Sequence, residues 1–279
     1  MIKKVLGALA LTLSISTPAL AFVDDYPTEK APDLIHDMGA LQNGAKLFVN
    51  YCLNCHSANA MMYNKLTDLG LTEEEIKRNL LFTSDEIGSY MTVALDPEDG
   101  AKWFGTTPPD LSVIARSRAT SFGPSGVDYL YTYLRTFYRD QSRVTGWNNL
   151  VYPMVAMPHV MWEAQGPTQL EGVEVKQNKD GEWVRETTLI DEYGFWDTKT
   201  EVLSSAPDKA SKTAKIVPLD PEQQARFDRD IADLANFLGW MAEPYQIERK
   251  RIGAAVLVLL LIFFGVAWRL DKAYWKDVK

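Results

Sequence analysis

The clearest chemistry in this chain lies in two cysteines and the histidine that follows them. Cys52-Leu53-Asn54-Cys55-His56 reads C-x-x-C-H, the attachment sequence for c-type haem. Two thiols one helical turn apart can add to the two vinyl groups of one haem, and the next residue can offer an imidazole to the iron. The competing chemistries need more than the chain supplies. A four-cysteine zinc site requires two thiols beyond the 2 present, and a thioredoxin-like dithiol belongs to a βαβ pattern that is not visible here. The expectation is one covalently bound haem c on Cys52 and Cys55, with His56 as an axial ligand of the iron.

The second axial ligand has several candidates. Among 3 histidines only His36 and His159 are left for the role, against 9 methionines. The segment Tyr152-Pro153-Met154-Val155-Ala156-Met157-Pro158-His159 combines prolines that stiffen an extended loop with thioethers able to reach iron. Periodicity does not choose among Met157, Met154 and His159.

The elements that must position these groups are helical. Leu41, Ala45, Phe48 and Cys52 recur at helix spacing, so a helix leads into the cysteine pair. Asp220 as N-cap, Pro221 at the first helical position and Gln223 at the capping-box position open a second helix. Its stripe is Phe227, Ile231, Leu234, Leu238 and Met241, and it should end near Glu243-Pro244. A further helix is expected over about Val127 to Tyr138, among loops marked by Pro108-Pro109 and Gly123-Pro124. Residues from about 163 to 217 are denser in Gly, Lys, Asp, Glu and Thr, and read as an insertion on a helical domain. Within it, Val173 and Val175, then Lys179-Asp180-Gly181, then Trp183 and Val184 predict a β-hairpin.

Both ends of the chain carry membrane signals. Lys3-Lys4, an apolar run from Val5 to Ile15 and Ala19-Leu20-Ala21 have the order of a secretory signal peptide, expected at 1–21 and cleaved after Ala21. Eleven apolar residues reach only about 16 Å, short of the roughly 30 Å hydrocarbon core, which argues against a span there. Ile252 to Trp268 contains no charged side chain and lies between Arg249-Lys250-Arg251 and Arg269. It reads as a single span at about 252–268, within an anchor at 249–279 that ends in a short cytoplasmic tail. The body at 22–248 is then an exported, periplasmic haem domain.

Composition narrows the function further. The 279 residues are 46% hydrophobic and 24% charged, enough to bury a core and exclude general disorder. With 29 Lys plus Arg against 37 Asp plus Glu, the formal charge is −8, which excludes a nucleic-acid binder because nothing neutralises phosphate. An acidic exported body suits a basic partner. Glu73-Glu74-Glu75, Asp85-Glu86 and Glu98-Asp99 are the clusters that could steer one.

The haem motif, Pro108-Pro109-Asp110-Leu111-Ser112, the Met157-Pro158 loop, Trp240-Met241-Ala242-Glu243-Pro244 and the C-terminal span, in that order, resemble the cytochrome c1 family over nearly the whole mature chain. The resemblance implies a mainly α fold: a class I cytochrome c-like haem domain with a small β-hairpin insertion and one C-terminal transmembrane helix. It implies Met157 as the second axial ligand, Pro109 and Leu111 in the haem pocket, and Arg118 and Tyr129 near a haem propionate. The function implied is electron transfer within a quinol:cytochrome c oxidoreductase, not bond chemistry by this subunit alone. Its partners are cytochrome b and the Rieske iron–sulfur subunit in a dimeric complex of the bacterial inner membrane, with a cytochrome c as acceptor. The chain departs from the mitochondrial pattern in reading Met-Pro-His-Val after the ligand loop, and in its insertion. The alternatives are a stand-alone membrane-anchored monohaem cytochrome, and a haem enzyme with an open distal site that binds carbon monoxide when reduced.

Overall fold

The computed structural model describes residues 26–277; the expected signal peptide at 1–21 lies outside them. Helix α1 (Met38–Leu47) starts at Asp37, whose carboxylate accepts the backbone N–H of Ala40. The apolar spacing predicted a helix continuing to Cys52. The chain instead widens into a π-turn over Phe48–Cys52, with Leu53 N–H bonding to the Phe48 carbonyl at 3.0 Å. The wider turn buries Phe48 and Val49 and leaves Cys52 half-buried.

Short elements follow the motif. They are β1 (Ala58–Met62), a 3₁₀ stretch over Tyr63–Leu69, α2 (Glu73–Asn79), β2 (Tyr90–Met91), α3 (Pro97–Phe104) and α4 (Ile114–Ser117). Helix α5 (Gly126–Arg135) opens with a capping box between Ser125 and Asp128. It stops earlier than the expected Tyr138, because β3 (Phe137–Arg139) pairs antiparallel with β4 (Trp147–Asn149) and takes those residues into a ladder. After α6 (Trp162–Gln165) come β5 (Thr168–Gln177), β6 (Trp183–Ile190), β7 (Trp196–Val202) and β8 (Ser211–Pro218).

The insertion is more than the expected hairpin. Strands β5 and β6 do pair around Asn178–Glu182, where Gly181 takes φ +81°, but the sheet has four antiparallel strands in the order β7-β6-β5-β8. Every residue of β7 is exposed, so its sequence carries no apolar alternation to read.

Helix α7 (Pro221–Ala242) begins at Asp220 and buries its predicted stripe of Phe227, Ile231, Leu234, Leu238 and Met241. Asp220 accepts from the backbone N–H groups of Glu222 and Gln223. The Gln223 side chain does not close the expected capping box; it donates instead to the Glu163 carbonyl at 2.8 Å, tying α6 to α7. The last helix, α8 (Gln246–Tyr274), has 29 residues, about 43 Å of rise. It is long and apolar enough to cross a membrane, and no part of its apolar stretch is buried by the rest of the chain.

The core forms where α1, α4 and α5 meet α7. A Cβ at Gly44 would lie 2.4 Å from the Asp233 carbonyl oxygen and 2.5 Å from the Phe237 Cβ, so the backbones of α1 and α7 approach closely there. Next to this crossing, the Phe48 and Phe237 rings pack 5.7 Å apart and Asn43 Nδ2 donates to both Asp230 and Asp233. At Gly126 a Cβ would sit 1.6 Å from the Ala115 carbonyl oxygen, which closes α4 on α5. Arg135 joins α5 to α7 through two bonds to Asp228, of 2.6 and 3.0 Å, and also pairs with Glu29.

The α1–α7 crossing yields a stability test. Gly44→Ala forces two packed helices apart and should cost about 1–3 kcal/mol. Gly253→Ala, which meets no atom within 4 Å, should leave the thermal midpoint unchanged. Thermal unfolding of the detergent-solubilised protein, followed by circular dichroism, checks both.

Candidate haem-binding site

The C-x-x-C-H segment forms one wall of a cleft of about 510 Å³. That volume lies in the roughly 300–1,000 Å³ range of ligand and cofactor pockets. Cys52, Cys55 and His56 face it from the end of the π-turn, where His56 N–H bonds to the Cys52 carbonyl at 2.9 Å. The floor and sides include Pro108, Pro109, Leu111, Ile114, Leu130, Leu134 and Leu238, so the interior is mostly apolar.

His56 is oriented by the Pro-Pro-Asp-Leu-Ser segment. Its Nδ1 lies 2.7 Å from the Pro109 carbonyl oxygen. A carbonyl can only accept, so Nδ1 carries the proton and Nε2 keeps its lone pair for a metal. The carbonyl is itself held in place: Leu111 N–H bonds to the Ser57 carbonyl at 2.9 Å, Asn59 N–H to Asp110 at 2.7 Å, and Ala60 N–H to Ser112 Oγ at 3.0 Å. Burial lowers the pKa of His56, opposed by the Pro109 bond and the Asp110 charge, which favours the neutral imidazole that iron binds.

The thiols differ from those of a redox dithiol. Burial, followed by the neighbouring Cys55, pushes Cys52 up to about 12, and burial also raises Cys55. A reactive dithiol needs a lowered thiol pKa, whereas neutral thioether sulfurs are at home in such surroundings. Among the described residues no group of three or more His, Cys, Asp or Glu could hold a metal ion.

The loop from Tyr152 to Pro158 supplies another wall, and both Met154 and Met157 line the cleft. Met157 is half-buried, and its sulfur accepts a 3.5 Å hydrogen bond from Tyr133 Oη. Met154 is 65% exposed and sits at φ +63°, a left-handed conformation costing roughly 1–2 kcal/mol for a residue with a Cβ. Its sulfur lies 3.4 Å from a guanidinium nitrogen of Arg143. His159 is not on the cleft wall. It is buried between Phe137, stacked at 4.8 Å, and the edges of Trp147 and Phe227, with Nε2 bonded to Gln165 Oε1 at 2.6 Å. That environment lowers its pKa to about 4, chiefly by burial, and places it in the core, away from the cleft.

Arg118 and Tyr129 stand together at the cleft, the guanidinium 5.4 Å from the ring centroid. Pro109 and Leu111 also line the cavity, so the cleft gathers both cysteines, His56, both methionines of the loop, Arg118 and Tyr129, while His159 lies outside it. The sequence reading missed Tyr133, which stacks on Tyr129 at 6.0 Å and meets Phe137 edge-on at 5.2 Å. The spacing of Tyr129, Tyr133 and Phe137, four residues apart each time, was the available signal.

A helical domain that gathers a C-x-x-C-H segment and methionine thioethers around one apolar cleft, and ends in a single apolar helix, has the architecture of an anchored c-type cytochrome. The chain belongs to the cytochrome c1 family: the Cytochrome C1 family model matches residues 29–169 and 210–278, passing over most of β5 and all of β6 and β7. It is 37% identical to a cytochrome c1 of Allochromatium vinosum over 99% of each chain. It is 36% identical to a protein of Nitrosomonas europaea named ammonia monooxygenase gamma subunit, over 90% of this chain and 88% of that one. A cytochrome b/c1 of Bradyrhizobium diazoefficiens is 24% identical over 86% of this chain and 34% of its own length. Membership of the family implies haem c, and the apolar cleft, the neutral thiols and the available His56 Nε2 fit that group.

The surroundings of His159 predict a separation of stability from ligation. His159→Phe keeps the aromatic stack but leaves Gln165 Oε1 without its partner, while Gln165 Nε2 still donates to the Arg135 carbonyl; the loss should cost about 1–3 kcal/mol. The visible and near-infrared spectra of the haem-loaded protein should not change.

Proposed function

We propose that this chain is the electron-transfer haem subunit of a quinol-oxidising membrane complex, taking one electron from a Rieske iron–sulfur protein and passing it to a cytochrome c. The observation that carries the reading is the cleft itself, where His56 offers a fixed nitrogen and Met157 a fixed sulfur. Cys52 and Cys55 would hold haem c covalently, His56 and Met157 would ligate its iron, and Arg118 with Tyr129 would face a propionate. Such a haem would supply a one-electron couple, and a thioether ligand would keep its potential high. The protein's own part is to orient, exclude water and tune: Pro109 holds the imidazole, Tyr133 the sulfur, and the leucines keep the dielectric low. On this account the chain is no enzyme alone but a redox subunit of a ubiquinol–cytochrome c reductase.

The relative named cytochrome c1 over 99% of both chains supports this assignment, and the one named cytochrome b/c1 supports assembly with cytochrome b. The signal-peptide pattern and α8 support a single-pass protein of the bacterial inner membrane, haem domain in the periplasm and C-terminus inside. A second reading has one specific observation behind it: the similarity to a protein named ammonia monooxygenase gamma subunit favours the same carrier serving an oxygenase complex. Mild-detergent purification separates the two. Recovery of cytochrome b and Rieske subunits is expected, while monooxygenase subunits in their place would support the second reading.

Covalent attachment and ligation are tested separately. Haem-peroxidase staining after denaturing electrophoresis should mark the wild-type polypeptide and vanish in the Cys52→Ala, Cys55→Ala variant. Met157→Leu should abolish the near-infrared methionine-to-iron charge-transfer band with haem still attached, and Met154→Leu should preserve it.

Electron exit should depend on salt. Glu98 and Asp99 lie on α3, whose last residue Phe104 lines the cleft, although Asp99 is also paired with Lys102 at 3.1 Å. If such charges steer a basic acceptor, its second-order rate should fall from about 10 to 150 mM salt, as the Debye length shrinks from roughly 30 to 8 Å. A flat rate would remove electrostatic docking.

A further inference from the structure

Two methionines three residues apart reach the same cleft, and their sulfurs are held by different donors. Tyr133 Oη donates to Met157 from inside, while Met154 is gripped from outside. Its backbone N–H donates to Asn148 Oδ1 at 2.9 Å. Its carbonyl accepts from one guanidinium nitrogen of Arg143 at 2.9 Å, and its sulfur meets another at 3.4 Å. Arg143 is placed by the turn from Asp140 to Gly146, where its N–H bonds to the Asp140 carbonyl and its own carbonyl accepts from Gly146. Asp140 braces the same turn through Ser142 and Asn148.

Two features of this clamp are costly. Met154 occupies the left-handed region at φ +63°, where glycine is the default, and Arg143 Nε is buried without a hydrogen-bond partner. Strain and a desolvated donor persist only where the surroundings over-determine them. A methionine side chain has three rotatable bonds and adapts to many positions, so an untethered Met154 on the cleft wall would compete for any iron there.

We propose that Arg143 is a positioning residue that selects the axial ligand, holding the Met154 thioether away from the iron so that Met157 alone binds it. The inference rests on the reading above that haem occupies this cleft with Met157 as ligand.

The test uses full-length, haem-loaded protein in detergent and reads the methionine-to-iron charge-transfer band. Met157→Leu should lose the band, because the clamp still holds Met154. Adding Arg143→Gln should bring it back, and adding Met154→Leu to that pair should remove it again. A band that stays absent in the Met157→Leu, Arg143→Gln variant overturns the proposal, as does a band that survives in both single methionine variants. Loss in Met154→Leu with survival in Met157→Leu instead overturns the ligand reading itself. If the paired variant does not fold, Arg143→Gln alone decides. Proton NMR of its reduced form should show a second strongly upfield methionine methyl signal, absent after Met154→Leu; a single signal overturns the proposal.

Discussion

The hydrogen bond from His56 Nδ1 to the Pro109 carbonyl is the contact on which the cleft depends. It joins segments more than fifty residues apart and puts the imidazole proton on Nδ1, so Nε2 keeps its lone pair. A carbonyl can do this only if its own backbone is immobile. The bonds from Ser57, Asn59 and Ala60 to residues 110–112 supply that, so the Pro-Pro-Asp-Leu-Ser segment is stitched to the strand that follows the haem motif. Motif and partner segment therefore act as one unit.

That unit is seated on a helical frame whose geometry is set by glycine. Gly44 lets α1 lie close against α7, and the π-turn at the end of α1 delivers Cys52 to the cleft. Gly126 does the same for α4 against α5, the helix that carries Tyr129 and Tyr133. Arg135 then locks α5 to α7 with a partly buried two-point ion pair, a geometry that fixes orientation more than it adds stability. None of the strands β5–β8 lines the cleft, and the family model passes over residues 170–209 while taking in β8; the sheet meets the rest of the domain at β3 and through Gln141, whose Nε2 donates to the Tyr193 carbonyl at 3.1 Å.

The opposite wall is organised by polar groups around sulfur. Tyr133 reaches Met157 from within the core, where burial raises its phenol pKa and keeps the hydroxyl a donor. Arg143 holds Met154 at the rim. The third candidate of the same loop, His159, turns away into an aromatic cage of Phe137, Trp147 and Phe227. Three residues of related coordinating ability thus receive three different environments within six positions of chain.

The haem motif, the α7 stripe with its Asp220 cap and the apolar C-terminal helix were legible in the sequence by itself, because each is written in local spacing: two thiols and an imidazole in five residues, apolar side chains on one face, charges excluded over a membrane's thickness. The choice among Met154, Met157 and His159 was not. It depends on which side chains from α5, β3 and the 140–148 turn arrive beside the loop, and no local period records that. The same limit applies to the π-turn after Leu47, to the early end of α5, and to β7 and β8: β7 is exposed throughout and carries no apolar alternation, and β8 pairs with β5, a strand remote in sequence. Local sequence determined what chemistry the chain can offer and which helices carry it; long-range packing decided how His56, Met154 and Met157 are each held at the cleft and turned His159 into the core, because hydrogen bonds and ring contacts between segments remote in sequence set those orientations.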